Sequence, residues 1–368
     1  MRGYGILAID TSCDETSAAV TIGERIFANV ISSQVELHKK YGGVVPHLAQ
    51  RAHQERIGPV ILETMSRFAQ QAKLGKRSSW EDYFEEIDAV AVTYGPGLAP
   101  ALEVGITKAK ELVREYDKPL IAVNHMEGHL LSPFAKNSQG KNRQNPFFRQ
   151  EERLFNHGPF LGLLVSGGHT QLVLMEKAGS YRLLGETLDD AGGEAFDKVA
   201  KILNLGYPGG PIIERLAQTG DEDRYSLPVP MVERADFNFS FSGLKTAVLY
   251  LVRDLRAQGE FDKKVIEDVC ASFQKAVALS LINKLEAAVK KTSPQAILLG
   301  GGVIANLYLR RQIRQSMRRF DLPIFIPFEK RLFTDNAAMI GVCACYQAKR
   351  HDFVVDIDKL DRMPSLSF

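Results

Sequence analysis

The sequence predicts an α/β protein built from two similar halves. Each half opens with three apolar, strand-like runs separated by short polar turns, and each continues with helical patterns that alternate with short buried strands. The composition agrees, because 45% hydrophobic and 24% charged residues over 368 positions are typical of folded chains with a sizeable core. We therefore expect a duplicated α/β architecture.

The first half is predicted to run β-β-β-α-β-α-β and to end in a further helix. Strands are expected where apolar runs alternate or are bounded by turn residues, and helices where apolar positions repeat every three or four residues. These criteria give strands at 5–10, 17–22, 26–32, 88–94 and 119–123, and helices at 46–73, 101–116 and from 124 onward.

The second half repeats this order. Its three opening strands are predicted at 160–165, 170–175 and 181–188, with later strands at 295–299 and 323–326. Helices are predicted at 193–204, 211–219, 303–320 and 334–349, and a longer helical region at 242–291. This duplicated order is that of the actin, Hsp70 and sugar-kinase design, which binds a nucleotide in the cleft between two lobes.

The domain boundaries follow from this repeat. We expect a first lobe of residues 1–133 with 334–368, and a second lobe of residues 158–333. Between them, residues 134–157 form a polar insertion whose Asn, Gln, Lys and Arg content predicts a mobile loop. Residues 75–86 are a second, shorter polar insertion.

Charge and cysteine content exclude several classes of protein. The formal charge of +2 gives no overall basic field, so nucleic-acid binding requires a local patch or a partner. Four scattered cysteines fit a reducing compartment rather than a disulfide framework. No secretory leader or membrane-spanning run is recognised, so we expect a soluble, cytoplasmic protein.

His125 and His129 are the first candidates for chemistry. Their i, i+4 spacing on a helix that follows a strand lets both imidazoles reach one metal ion. Asp335, at the start of the last helix, is a possible third ligand. A metalloprotease is the alternative, but its motif places Glu directly after the first His, where this chain has Met126. Glu127 is expected to point away from the metal.

Glycine-rich turns are the second set of candidates. The polar turns 11–16 and 166–170 occupy equivalent places in the two halves, and their amides can cradle phosphate without a Walker lysine. Residues 207–211 and 300–306 run through glycines into helices, which favours close approach of an anionic ligand. Neither the P-loop nor the Rossmann spacing is found.

Other signals are weaker. Ser242 and Lys245 match the Ser-x-x-Lys of penicillin-binding enzymes without the accompanying Lys-Thr-Gly. Cys13 lacks a companion base, and we expect it, like the cysteines at 343 and 345, to be structural.

Two segments are candidates for contacts with RNA phosphates. One is a basic helical face, for which a solvated surface is the ordinary interpretation, formed by Arg310, Arg311, Arg314, Arg318 and Arg319. The other is the insertion, with Lys136, Lys141, Arg143, Arg149 and Arg153. We favour the insertion, because it adjoins the helix that contains His125.

Taken together, the motifs resemble the tRNA N6-adenosine threonylcarbamoyltransferase family, in its bacterial or organellar branch, once described as glycoproteases. The resemblance runs from residue 5 to about 345. The matching stretches occur in the family's order, at residues 9–16, 42–53, 93–98, 124–129, 164–170, 193–198, 207–211, 239–246, 300–306 and 334–336.

The resemblance implies roles for individual residues. His125, His129 and Asp335 match the family's metal ligands, which hold one divalent ion per subunit, iron or alternatively zinc. Asp14 or Glu15 is a candidate to accept the proton from N6, and no sequence feature chooses between them. The positions expected to bind the adenylate are Leu164, Val165, Ser166, Gly167, Gly168, Asp197, Gly210, Glu214 and Asn306.

The resemblance also implies a reaction and partners. The family transfers the threonylcarbamoyl group from threonylcarbamoyl-adenylate to N6 of the adenosine beside the anticodon, on its 3′ side, in tRNAs that read codons starting with A, and releases AMP. Bacterial members act with a paralogue of the same fold and a P-loop ATPase, and organellar ones as homodimers. No membrane contact is implied.

Two alternatives remain open at this point. A metabolite kinase of the same fold would share the nucleotide site but would produce ADP. A non-catalytic paralogue would lack the chemistry, although His125, His129 and Asp335 are all present here. The chain departs from the family pattern at Asp10 and Glu214, where many members have Glu and Asp respectively, in the long insertion, and after residue 351.

Overall fold

Two five-stranded sheets organise the chain. The structure is a computed structural model and describes residues 3–75, 77, 79–142 and 158–368. These residues divide into two compact units. As far as it is described, the first comprises residues 1–38, 44–153 and 325–368, and the second comprises residues 39–43 and 154–324.

Strands and helices alternate along both units. The strands are β1 (Gly5–Asp10), β2 (Glu15–Ile22), β3 (Arg25–Ser33), β4 (Ala89–Gly95), β5 (Leu120–Asn124), β6 (Phe160–Val165), β7 (Thr170–Lys177), β8 (Ser180–Glu186), β9 (Ala296–Gly300) and β10 (Ile324–Phe325). The helices are α1 (Val35–His38), α2 (Pro46–Gln71), α3 (Ala99–Tyr116), α4 (His125–Leu131), α5 (Gly192–Ile202), α6 (Gly209–Ala217), α7 (Ser242–Ala257), α8 (Lys263–Thr292), α9 (Leu307–Met317) and α10 (Ala337–Lys349).

The first sheet has the strand order β3-β2-β1-β4-β5. Strand β1 pairs antiparallel with β2 and parallel with β4, which in turn pairs parallel with β5. All six residues of β1 are buried, because helices cover both faces of the sheet. One face, with Leu7 and Ile9, packs on α2 and α3. The opposite face, with Ala8 and Thr21, packs on α10, where Gly341 makes the approach possible.

The second sheet repeats the first. Its order is β8-β7-β6-β9-β10, and β6 is antiparallel to β7 and parallel to β9, as β1 is to β2 and β4. The turns at the ends of β1 and β6 therefore occupy equivalent positions in the two units. The predicted duplicated α/β fold is confirmed at the level of strand order and direction.

Most predicted helices agree with the observed ones to within two residues at each end, and three differ by more. The helix expected at 303–320 is interrupted at Asn306, where the backbone is extended. The side-chain oxygen of Asn306 caps α9 by accepting a hydrogen bond from the Leu309 amide. The region at 242–291 is two helices, because Gly259 adopts a positive φ of 72° and Asp262 caps α8. The last helix begins at Ala337 rather than 334, since Asn336 is its cap. Asn and Asp favour the cap over the helix interior.

The two polar insertions also differ from expectation. Trp80, within the 75–86 stretch, packs on the hydrophobic core of the first unit, and its ring lies 5.9 Å from that of Phe84. At the start of the second insertion, the Lys136 amide donates to the Glu24 carbonyl and the Lys136 carbonyl accepts from the Ile26 amide. Residues 136–142 thus begin with backbone hydrogen bonds to the edge strand β3, whereas the sequence predicted a mobile loop here. Residues 143–157 lie outside the described residues.

The segment after α10 lies along the first unit. The Val354 amide donates to the carbonyl of Leu120, and the Met363 amide donates to that of Tyr94, so the segment crosses the first sheet from β5 to β4. Among the described helices, none combines the length and the apolar content needed to cross a membrane.

Gly341 provides a test of this packing. A Cβ atom at residue 341 would lie 2.8 Å from the side chain of Thr21, so Gly341→Ala should destabilise the protein by about 1–3 kcal/mol through overpacking. Gly243→Ala is the matched control, because Gly243 is also helical but has open space around it, and the change should stay within about 0.5 kcal/mol. Thermal unfolding followed by circular dichroism gives both values. Equal melting temperatures for the two variants would contradict the close approach of α10.

Candidate functional site

The end of β5 positions the two histidines. Asn124, the last residue of that strand, caps α4 because its side-chain oxygen accepts from the amides of Met126 and Glu127 at 2.8 and 3.4 Å. His125 is therefore the first helical residue, and His129 follows one turn later. Both side chains are buried, with 5% and 0% of their surface exposed.

Asp335 meets both imidazoles. It directly precedes the α10 cap, and its Oδ1 lies 3.3 Å from Nε2 of His125 and 3.2 Å from Nε2 of His129. One ligand atom from each of the three side chains lies within 4.8 Å of the others. The structure thus brings Asp335 to a histidine pair about 200 positions earlier in the sequence, and these three residues were predicted to share one site.

Two further side chains orient His125 from its other ring nitrogen. Nδ1 lies 3.1 Å from the hydroxyl of Ser12 and 3.5 Å from Oδ2 of Asp10. Asp10 also accepts from the Ser12 amide through Oδ1, and the Ser12 carbonyl accepts from the amide of Leu98. This arrangement leaves Nε2 directed at Asp335, as a second shell of hydrogen bonds does for metal-binding histidines.

The electrostatics of the trio favour a shared positive charge. Burial opposes the charge on His125, but the carboxylates of Asp335 and Asp10 outweigh it and raise the pKa of His125 to about 10. Burial lowers the pKa of His129, and its neighbour His125 lowers it further. Although burial alone would raise it, the two histidines hold the pKa of the Asp335 carboxyl well below its usual range. A cation bound between these side chains displaces the proton on His125.

The donor set fits a divalent transition metal. Two imidazole nitrogens and one carboxylate oxygen suit iron(II) or zinc and leave coordination positions for substrate. The convergence of both Nε2 atoms on one carboxylate oxygen is the observation that supports this fit. These side chains do not distinguish the metal.

The protease interpretation fails on the position of Glu127. Its carboxylate lies 4.0 Å from the guanidinium of Arg350, at the end of α10, and its charge acts on the thiol of Cys343. It does not join the His125, His129 and Asp335 group. The expectation that Glu127 points away from that group is confirmed.

The turn between β1 and β2 lies next to the trio and contains the two candidate proton acceptors. Burial and the carboxylates of Asp14 and Asp335 raise the pKa of Glu15 well above its ordinary value. Burial and the same two carboxylates raise the pKa of the Cys13 thiol, so this cysteine is not an activated nucleophile.

His53, on α2, holds this turn in place. Its Nε2 lies 3.0 Å from the carbonyl of Cys13 and its Nδ1 lies 2.7 Å from the hydroxyl of Thr16. Because a carbonyl only accepts, Nε2 has the proton and Nδ1 accepts from Thr16. Burial lowers the pKa of His53, which agrees with a neutral ring.

Sequence reasoning did not place Asp10, Ser12 or His53 in the site. Ser12 and His125 are 113 positions apart, and no spacing pattern links residues at that distance. Asp10 was noticed only as a departure from the family pattern. Asp10 could have been identified as a site residue from its place at the end of a strand, beside the polar turn.

In the second unit, the predicted adenylate positions begin at the turn after β6. Leu164 and Val165 are fully buried, so only their backbone can meet a ligand, whereas Gly167 and Gly168 are exposed and have open space around them. The Gly193 amide, at the start of α5, donates to the carbonyl of Ser166. A Cβ atom at residue 193 would lie 2.6 Å from that carbonyl oxygen, so the helix start requires glycine to approach the turn.

The remaining adenylate positions are linked to one another by hydrogen bonds. Asp197 on α5 accepts from the amide of Gly209 at 2.7 Å, next to Gly210, which has open space around it. Glu214 on α6 accepts from the amide of Leu307 at 2.7 Å, directly after Asn306. These bonds connect the middle of α5 to the start of α6, and the middle of α6 to the start of α9. Helix starts favour anionic ligands.

Comparison with known proteins identifies the family. A sequence model of the tRNA N6-adenosine threonylcarbamoyltransferase family matches residues 25–342. The chain is 42% identical to the tRNA N6-adenosine threonylcarbamoyltransferase of Thermosipho africanus (strain TCF52B), over 98% of this chain and 99% of that protein. It is 45% identical to that of Moorella thermoacetica (strain ATCC 39073 / JCM 9320), over 95% and 93%. The chain belongs to this family.

Solved structures of other proteins have a fold similar to that of this chain. Full-length HypF in its phosphate- and nucleotide-bound form matches with a TM-score of 0.57 and 13% identity, over 94% of this chain and 55% of that one. HypF of T. kodakarensis matches with a TM-score of 0.58 and 13% identity, over 95% and 49%. This chain thus spans about half of each HypF chain. The family assignment confirms the resemblance drawn from the motifs. Because the family is named for transfer of a threonylcarbamoyl group to tRNA, the assignment argues against the protease and kinase alternatives.

Removing either histidine should remove the metal. Purified His125→Ala and His129→Ala are expected to lose bound metal by elemental analysis while keeping the circular dichroism of the parent protein, because each supplies one of three ligands. His351→Asn is the matched control, since His351 is an exposed histidine after α10 that is not part of the His125, His129 and Asp335 group. Full metal content in both alanine variants would rule out this site.

The hydrogen bond to Nδ1 of His125 should contribute to metal affinity. Ser12→Ala is expected to weaken binding of Zn²⁺, measured by competition with a chromogenic chelator, by about 10- to 100-fold, because the imidazole loses an orienting partner. Ser17→Ala is the control: Ser17 is equally buried, but its hydroxyl bonds the backbone of Asp10 and not His125. Indistinguishable affinities for the two variants would show that Ser12 does not position the ligand.

Proposed function

We propose that this chain transfers the threonylcarbamoyl group from threonylcarbamoyl-adenylate to N6 of the adenosine adjacent to the anticodon, on its 3′ side, in tRNAs that read codons starting with A. AMP is the leaving product. The convergence of His125, His129 and Asp335, in a chain that belongs to this family over nearly its full length, is the observation on which the proposal rests.

The chemistry needs positioning more than strong acid–base catalysis. The exocyclic amine of adenosine is a weak nucleophile, whereas the mixed anhydride of the adenylate has a good leaving group, so holding the two in line and stabilising charge are the main requirements. A divalent ion held by His125, His129 and Asp335 would supply Lewis acidity toward an oxygen of the substrate. Iron is the metal we propose, with zinc as the alternative.

Glu15 is the better candidate to accept the N6 proton. Both Asp14 and Glu15 lie on the turn that His53 holds, but burial and neighbouring carboxylates raise the pKa of Glu15. A carboxylate with a raised pKa binds an accepted proton more tightly, provided that it is ionised when the amine attacks. We therefore assign the proton transfer to Glu15, and we propose that the negative charge of Asp14 helps to raise the pKa of Glu15.

The adenylate is assigned to the second lobe, residues 158–333. The open glycines of the β6–β7 turn and Gly210 provide backbone that an adenosine phosphate can approach, and helix starts provide amides for its negative charge. The residues proposed to bind it are Leu164, Val165, Ser166, Gly167, Gly168, Asp197, Gly210, Glu214 and Asn306. The first lobe, residues 1–133 and 334–368, is assigned the metal and Glu15.

Partners and location follow from the family in the same way. We propose a cytoplasmic enzyme that uses tRNA and threonylcarbamoyl-adenylate as substrates. In a bacterial setting a paralogue of the same fold and a P-loop ATPase would assist it, and in an organelle it would act as a homodimer.

Transfer of labelled threonine tests the proposal. The full chain, with threonylcarbamoyl-adenylate and an unmodified transcript of a tRNA that reads codons starting with A, should place label in the tRNA and release AMP. His129→Ala should abolish incorporation, because it removes a metal ligand, whereas His351→Asn should retain it. The paralogue and ATPase are added in a second arm.

Two outcomes would contradict the proposal. No label in tRNA in either arm would make the chain a non-catalytic member of its family. Equal incorporation by His129→Ala would mean that the His125, His129 and Asp335 group does not serve this reaction.

A further inference from the structure

The solvent face of α9 is strongly basic. The helix is amphipathic: Leu309, Ile313 and Met317 are buried at intervals of four residues, and the arginines occupy the other side. An open cavity of about 550 Å³ lies along that side and is lined by Leu307, Arg310, Arg311, Arg314, Gln315 and Arg318. We call this set the α9 arginine face.

Three of these arginines have no anionic partner among the described residues. Arg311, Arg314 and Arg318 are exposed, and no carboxylate of the described chain forms an ion pair with them. By contrast, Arg319, at the end of the same helix, pairs with Glu286. Burial lowers the pKa of Arg310, and the neighbouring charge of Arg314 lowers it further, whereas Glu214 opposes both effects.

Such a row is costly unless an anion binds it. Like charges one helical turn apart destabilise a helix, and the positions 311, 314 and 318 place three guanidinium groups within about 10 Å along the axis. Guanidinium groups bind phosphate oxygens in a bidentate manner. With a formal charge of only +2, the chain has little general attraction for a polyanion, so a local basic patch or a partner has to supply it. The insertion favoured from sequence lies mostly outside the described residues, and the α9 arginine face is the candidate whose geometry the structure describes.

We propose that the α9 arginine face binds the phosphate backbone of the tRNA. The proposal rests on the proposed function, which makes tRNA the second substrate. The face is open and elongated, which suits a chain of phosphates better than a single small anion. It also begins at Leu307, directly after Asn306 and bonded to Glu214, two of the positions assigned to the adenylate.

The test is the salt dependence of tRNA binding. The triple variant Arg311→Gln/Arg314→Gln/Arg318→Gln is titrated with a labelled tRNA transcript over a range of salt concentrations, with the partner proteins that support transfer. The slope of log affinity against log salt should fall by about two to three units, and affinity at low salt should fall by roughly tenfold or more.

A matched control removes the same charge elsewhere. Arg51→Gln/Arg67→Gln/Arg253→Gln also replaces three exposed helical arginines, each of which pairs with a nearby carboxylate. This variant should keep both the slope and the affinity. Melting temperatures of both triple variants show that they are folded, since neither set includes a buried side chain.

The outcomes separate this proposal from the function itself. The proposal that the α9 arginine face binds tRNA is overturned if the salt slope of the α9 variant is unchanged, or if the control variant loses as much tRNA affinity. In both cases threonine transfer by the parent protein is unaffected. A raised KM for the adenylate with unchanged tRNA binding also overturns it, because the face would then serve the small substrate. If the parent protein transfers no threonine but its tRNA affinity depends on these arginines, the proposed function fails and the surface remains.

Discussion

The pairing of two buried histidines with the half-buried Asp335 is the constraint on which the arrangement of the first unit's helix starts depends. His125, His129 and Asp335 come from two helix starts, and neither histidine is exposed by more than 5%. Groups of this kind are unfavourable in a core unless paired. Several contacts keep the ring nitrogens of the two histidines within bonding distance of the Asp335 carboxylate. These contacts are the helix caps at Asn124 and Asn336, the hydrogen bond between Ser12 and His125, and the packing of α10 on the sheet.

The same topology supports a different chemistry in the second unit. Strands β1 and β6 are equivalent, and the backbone at the end of each is closely approached by a glycine that follows the neighbouring parallel strand, β4 or β9. A Cβ atom at Gly97 would lie 2.5 Å from the carbonyl oxygen of Ser12, and one at Gly301 would lie 2.4 Å from that of Val165. Both units therefore use a glycine to allow the same close backbone contact. The turn after β1 contains carboxylates and Ser12, whereas the turn after β6 has two open glycines.

Much of the fold follows from sequence because its signals are local. The six residues of β6 form an unbroken apolar run, and the predicted strand at 160–165 agrees with the observed one. The helix predicted across Asn306 was wrong, because periodicity on both sides concealed a capping side chain. The histidine pair and Asp335 were predicted from spacing and family resemblance. The contacts of Ser12 and His53 were not, since they depend on tertiary packing between segments with no shared pattern.

The segment after residue 351, described to its last residue, supports the site although it contains no helix or strand. The Asn124 side chain, whose oxygen caps α4, donates through its nitrogen to the carbonyl of Ser367. The Gly97 amide, beside Ser12, donates to the carbonyl of Pro364. Both contacts use backbone atoms of the tail, so almost any side chains there satisfy them. The backbone of this segment therefore holds the two loops that orient His125, whatever its side chains are.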